Sequence, residues 1–168
     1  MICECGNHAW APLTRGHITL VDAQDVGFLI QKWSALAEDY PYAFSRLGLL
    51  HRMLVSAKRA ELVDHANGWC GDNRRQNLRV ATRTQNAQNT RRHSDGRSGV
   101  KGVYWHSGLQ KWRASINLNG KKTSLGVFVD KIDAARAYDA AAATHFGNFA
   151  KTNETLDRVG ATAREAAE

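Results

Sequence analysis

The nine residues 91–99, RRHSDGRSG, constrain the fold more than any other stretch of the chain. They carry no apolar side chain, they include Gly and Ser, and the segments on either side each have their own hydrophobic patterning. Two small modules are therefore expected, residues 1–92 and 100–153, with a linker at 93–99 and a flexible tail at 154–168. At 168 residues, 43% of them hydrophobic and 23% charged, the chain has enough apolar material for a core in each. No apolar run approaches the roughly 18 to 20 residues that span a bilayer, and the N-terminal MICECGNHAW has neither a basic lead nor an apolar stretch, so a soluble cytoplasmic protein without a membrane partner is expected. Three cysteines leave one unpaired and make no disulfide framework, which points to a reducing compartment.

Turn signals and periodicity set the expected elements, and the fold class is α+β. HITLVD (17–22) reads as a short strand, after which Asp22 is placed to cap a helix over AQDVGFLIQKW (23–33). YPYAFSR (40–46) and LLHRMLV (49–55) read as strands spaced to pair in a hairpin, and ELVDH (61–65) and NLRVA (77–81) as two more. Thr82 with Gln85 three residues on is a capping box, which opens a helix over TRTQNAQNTRR (82–92).

Charge is unevenly placed. The net charge is +7, yet residues 72–122 hold twelve basic residues against only Asp72 and Asp95. A stripe of this density is the footprint of a polyanion, because each neutralised phosphate releases a condensed counterion. The bland alternative is a solvated, solubilising face.

Within VDHANGWCGDNRRQNLRVATRTQNAQN (63–89), Asp64 and His65 end a strand, and five Asn follow. A hairpin followed by a crossing helix can face Asp64 across a small cavity with an amide of that helix, Asn86, or Asn89 one turn on. A carboxylate and an amide oxygen suit a hard divalent cation that also accepts phosphodiester oxygens. His65 alternates in direction from Asp64 along the strand, so it addresses a water instead. The implied chemistry is metal-assisted hydrolysis with imidazole as general base.

This stretch resembles the HNH endonuclease motif in the form common among phage and bacterial homing endonucleases: a DH pair, then DNR-x-x-NLR, then T-x-x-x-N. The resemblance implies a ββα-metal nuclease module with its motif at 61–92. In it His65 is the general base, Asp64 and Asn86 hold Mg²⁺ (or Mn²⁺), and Asn77 ties the loop to the hairpin. Asn86 stands where the family also uses His, a variant that favours Mg²⁺-like over Zn²⁺-like coordination. LLHRMLV resembles the strand before the motif, with His51 near DNA or the site. Arg74, Arg75, Arg79, Arg83, Arg91 and Arg92 are expected to hold the DNA backbone around the cut.

The second module reads as three strands, KGVYWH, KWRASINLN and KTSLGVF, joined by SGLQ and by NGK, an Asn-Gly hairpin signal. In the middle strand Trp112, Ala114 and Ile116 share one face, and Arg113, Ser115 and Asn117 the other. Asp130 caps a helix in which Ala134, Ala135, Tyr138, Ala141 and Ala142 pack on the sheet, and Gly147 ends it. Trp105 and Trp112 are read as core. KGVYW, KWRASI, SLGVF, AARAYDAAA and GNFAKTN resemble the DNA-binding domain of plant apetala and ethylene-response factors, which also follows the nuclease motif in many phage and bacterial HNH proteins. The resemblance implies a three-stranded antiparallel sheet plus one helix, with Lys101, Tyr104, His106, Arg113, Ser115, Asn117, Lys122 and Ser124 facing double-stranded DNA in the major groove. Ser124 stands where an aromatic is usual, so base preference does not carry over.

Cys3, Cys5 and His8 are a candidate zinc set, although Cys-x-Cys is not the usual two-residue spacing and further ligands would have to be Cys70 or a distant His. The expected function is a metal-dependent DNA endonuclease, monomeric or weakly dimeric and without an organic cofactor, whose target is read by the second module. The alternatives are a non-catalytic DNA-binding regulator on a nuclease scaffold and, less directly, an RNA-directed nuclease or a DNA-packaging accessory.

Overall fold

The structure, a computed structural model, describes residues 2–89 and 98–153. The chain is mixed α+β, built of small antiparallel sheets and few helices, and divides into two compact units, Met1–Asn86 and Ala87–Glu168. The division falls inside a helix ahead of the expected linker. Most of that linker, Arg91, Arg92 and the tail lie outside the described residues.

The first unit opens with β1 (His8–Pro12) and β2 (Ile18–Asp22), antiparallel, with Ala9 opposite Val21 and both fully buried. Arg15 and Gly16 adopt successive left-handed conformations in the turn between them, at φ 64° and 75°. The stretch after β2 is not the expected α-helix but a 3-10 helix, Ala23–Ile30. Asp22 makes no side-chain cap there, because its carboxylate instead accepts from the Arg75 backbone N–H at 2.8 Å.

Three short strands follow, β3 (Ser34–Ala35), β4 (Ala43–Ser45) and β5 (Gly48–Leu49), in the order β3-β4-β5. The expected hairpin exists but is brief, because LLHRMLV is not a strand: the chain leaves β5 and forms α1 (Leu50–Leu54). Leu50 and Leu54, four residues apart, both point into the core with Ala9, Leu13, Val21 and Trp33. That is the helical period, and it wins over strand alternation in a run with five apolar residues among seven. β6 (Leu62–His65) and β7 (Leu78–Ala81) pair antiparallel, Asp64 opposite Arg79 and His65 opposite Leu78. After Thr82 the chain enters α2 (Arg83–Gln88). The capping box forms both ways, Thr82 N–H to Gln85 Oε1 at 2.9 Å and Gln85 N–H to Thr82 Oγ1 at 3.2 Å.

The second unit contains β8 (Val103–His106), β9 (Lys111–Leu118) and β10 (Lys121–Phe128) in the antiparallel order β10-β9-β8, and α3 (Lys131–Phe146). Asn119 and Gly120, at φ 52° and 81°, form the two-residue β9–β10 turn, as Asn-Gly predicts. The Asp130 side chain caps α3. Ala134, Tyr138 and Ala142 pack on Val103, Ala114 and Ile116 in two adjoining clusters. Gly102, at φ +74°, lies against the Tyr138 ring so closely that a Cβ there would fall 1.9 Å from it. Asn153 closes the unit: its Oδ1 accepts from the Lys101 N–H and its Nδ2 donates to Asp139, both at 2.8 Å. Trp112 joins the core as expected, but Trp105 stays 45% exposed, edge-on to Trp112 with ring centroids 5.1 Å apart. Among the described residues no helix is long and apolar enough to cross a membrane.

Candidate active site

β6 delivers Asp64 and His65, both buried, to two different surroundings. Asp64 meets its cross-strand partner: Arg79 Nε donates to Asp64 Oδ2 at 2.8 Å and Nη2 approaches the same oxygen at 2.6 Å. His65 faces Asn73, His51 and Tyr42.

A chain of hydrogen bonds fixes the imidazole. The Gly71 carbonyl can only accept, so the Thr19 hydroxyl 3.2 Å away donates to it. Thr19 Oγ1 in turn accepts from Asn73 Nδ2 at 2.8 Å, which orients that amide with Oδ1 toward His65 Nε2, 3.1 Å away. An amide oxygen cannot donate, so Nε2 carries the hydrogen and the lone pair resides on Nδ1. Asn73 and Thr19 are fully buried, and β2 is sewn onto the loop by Leu20 N–H to Gly71 O and Asn73 N–H to Leu20 O, each 2.8 Å. Burial pulls the His65 pKa below its ordinary value, against the Asn73 bond and the charges of Asp64 and Asp72, which act to raise it. The imidazole is accordingly neutral at pH 7.

Behind His65 sit Tyr42 and His51. The His51 ring centroid is 5.2 Å from both, and Tyr42 lies 5.8 Å from His65. His51 Nδ1 is buried without a hydrogen-bond partner among the described residues. Burial, with His65 and Arg52 beside it, pushes its pKa down to about 3. Burial also raises the Tyr42 phenol, helped by Cys70 and Asp64.

Most of the Asn residues hold the loop. Asn77 Oδ1 accepts from Asn67 N–H at 2.9 Å and its Nδ2 donates to Asp72 O at 2.7 Å, so it does join the loop to the hairpin. Asn67 Nδ2 donates to Asp72 Oδ2 at 2.9 Å, and its own Oδ1 accepts from Trp69 N–H at 2.8 Å. Burial acts to raise the Asp72 carboxyl, but the bonds from Arg74 outweigh it and hold the pKa low.

Arg74 grips Asp72 through Nε and Nη2, both at 2.8 Å, and Arg75 grips Asp25 at 2.8 and 2.7 Å. With Arg79, three of the arginines expected on DNA are engaged with carboxylates of the chain itself. Arg83 is exposed at the start of α2. Asn86 is exposed on α2, less than two turns from the end of β7, whereas Asn89 is buried.

In the second unit, register places Tyr104 and His106, Arg113, Ser115 and Asn117, and Lys122 and Ser124 on the sheet face opposite α3. Lys122 Nζ lies 4.4 Å above the Tyr104 ring, and Arg113 Nε is buried without a hydrogen-bond partner among the described residues. Lys101 turns elsewhere: its ammonium donates to Gln88 O at 2.7 Å, and burial, with Lys151 nearby, lowers its pKa to about 8.

At the N-terminus the ligand atoms of Cys3, Cys5 and His8 lie within 4.8 Å of one another, and Cys70, buried in the loop, is not among them. Asn73, Thr19 and Tyr42 are residues that sequence reasoning missed. Asn73 stands inside the DNR stretch, a signal that marks its position but not its buried bond to His65. No known family model, curated protein or solved structure matches the chain.

Proposed function

We propose that the chain is a metal-dependent DNA endonuclease of the HNH type, with His65 as general base and the sheet of the second unit as its DNA reader. The observation that carries this reading is the relay Gly71–Thr19–Asn73–His65, which holds a neutral imidazole with its lone pair on Nδ1 next to a buried carboxylate. A structural histidine needs a partner, but it does not need a tautomer set by three consecutive buried groups.

The donor set fits a hard cation. Asp64 brings a carboxylate whose Oδ2 is held by Arg79, and Asn86 is an exposed residue of α2 with a side-chain amide; carboxylate and amide oxygens are the ligand types a hard cation accepts. Mg²⁺ or Mn²⁺ held by Asp64 and Asn86 would supply charge stabilisation at the scissile phosphate and the leaving oxygen. His65 Nδ1 takes the proton of the attacking water, Asn73 keeps the ring from turning, and Arg79 fixes Asp64. Arg83 and the basic face of β9 and β10 bind phosphates.

The competing reading is a non-catalytic DNA-binding regulator, favoured by the Asp64–Arg79 pair, which satisfies the carboxylate without a cation. Supercoiled plasmid separates the two. The nuclease gives Mg²⁺-dependent nicked or linear product, and His65→Ala slows it by ~10² to 10⁴ while DNA is still bound. Binding without any metal-dependent cleavage favours the regulator, and parental cleavage by His65→Ala removes the role given to that residue.

A further inference from the structure

We propose that Cys3, Cys5 and His8 bind one Zn²⁺ ion through two thiolates and an imidazole, with a fourth position open to water. This site is independent of the nuclease reading and uses none of its residues.

The backbone builds the site before any ion is considered. Ile2 bridges Ala9, Cys3 N–H donates to His8 O at 2.8 Å, and Gly6 N–H donates to Cys3 O at 2.9 Å, which closes a tight turn at the mouth of β1. Gly6 supplies the left-handed conformation, φ 72°, that the turn requires. The turn brings all three ligand atoms to within 4.8 Å of one another, and Cys5 Sγ already lies 3.3 Å from His8 Nδ1. Tetrahedral zinc, with Zn–S about 2.3 Å and Zn–N about 2.0–2.1 Å, sets its ligand atoms roughly 3.6–3.8 Å apart, so small side-chain adjustments suffice.

Ligand chemistry selects the metal. Two thiolates and one imidazole suit Zn²⁺ and reject Mg²⁺ or Ca²⁺, which take oxygen ligands. Cys5 is exposed and Cys3 and His8 half-buried, so ion and thiols meet without unfolding, and no packing role accounts for a thiol as exposed as Cys5. Binding displaces a proton from each thiol, so affinity rises with pH.

The turn is also tied to the rest of its unit. Asn7 O accepts from Ala23 N–H at 3.1 Å and His8 pairs with Asp22, at the far end of the strand that carries Thr19. Zinc would therefore act as a clip on the β1–β2 hairpin.

Cobalt titration of the full-length, reduced chain tests the proposal. Stoichiometric Co²⁺ should produce thiolate-to-cobalt charge-transfer absorption and the visible bands of tetrahedral cobalt, displaced by one equivalent of Zn²⁺. His8→Ala should weaken binding at least ten-fold, Cys3→Ser/Cys5→Ser should abolish the charge-transfer band, and Cys70→Ser should keep it. As a check needing no variant, Zn²⁺ should protect Cys3 and Cys5 of the parent chain from alkylation, read by mass spectrometry of the peptides. Absence of the band in the parent chain overturns the site, as does its persistence in the double variant, its loss in Cys70→Ser, or equal alkylation of Cys3 and Cys5 with and without Zn²⁺.

Discussion

His51 should make the first unit lose stability in acid. Its ring is enclosed by Tyr42 and His65, its Nδ1 has no partner among the described residues, and the fold holds its pKa down to about 3. In the unfolded chain an imidazole titrates near 6.5. Between those values the unfolded state binds a proton that the folded state refuses, so stability is present above about pH 6.5 and is lost as pH falls. At about 1.4 kcal/mol per pH unit, the share of His51 alone amounts to about 2 kcal/mol at pH 5. His65, also depressed, adds a loss of the same sign. His51→Gln and His51→Phe remove the titration by two routes, one keeping polarity and one keeping an aromatic ring. Both should cut the loss of stability between pH 7 and pH 5 by about 2 kcal/mol, whatever they do to stability at pH 7. Urea unfolding followed through NMR signals of α1 and β6 amides isolates this unit. If the parent chain is equally stable at both pH values, or if both variants keep its full acid loss, His51 is not held neutral by burial.

Three further outcomes are expected. Asn73→Ala releases the His65 tautomer, so on the nuclease proposal single-turnover nicking should slow by roughly ten-fold or more with little change in DNA affinity, and, independently of that proposal, the vacated Thr19 hydroxyl should cost about 1–3 kcal/mol in urea unfolding. Lys101, lowered to about 8 against an unfolded value near 10.5, makes the second unit gain stability as pH rises through that window. Lys101→Met should remove the gain and, after allowance for the partial exposure of the group, add about 1–2 kcal/mol at pH 7, read by thermal melts at neutral and alkaline pH. Gly102→Ala sets a Cβ into the Tyr138 ring at a left-handed position, and calorimetry should show a loss of about 2–4 kcal/mol.

Where structure is decided by neighbours in sequence, the sequence was readable. Thr82 and Gln85 cap each other, Asn119-Gly120 turns the β9–β10 hairpin, and the small residues of α3 fall on the sheet as their spacing predicts. Asp64 and His65 end a strand and the loop after them closes through Asn77, again within a dozen residues. Failures came where a distant group intervened. Asp22 looks like a helix cap until Arg75, 53 residues away, takes its carboxylate. LLHRMLV reads as a strand from sequence, and only the core under Leu50 and Leu54 selects the helix. Trp105 alternates correctly yet does not join the core that takes in Trp112. The arginine stripe was legible as charge but not as three internal pairs, since Asp25 lies far from Arg75 in sequence.

The bond that Asn73 donates to Thr19 spans 54 residues, which bears on assembly order. A segment cut out at 61–89 would keep the hairpin, the loop and the capped helix, but His65 would lose the strand that orients it. During synthesis β2 emerges early and then waits for residues 71–75 before it finds its second edge. Closing a loop of that length is slow beside local helix or hairpin formation. The His65 ring should therefore be fixed only after residues 71–75 have returned to β2, and a nascent chain lacking them cannot yet hold that tautomer.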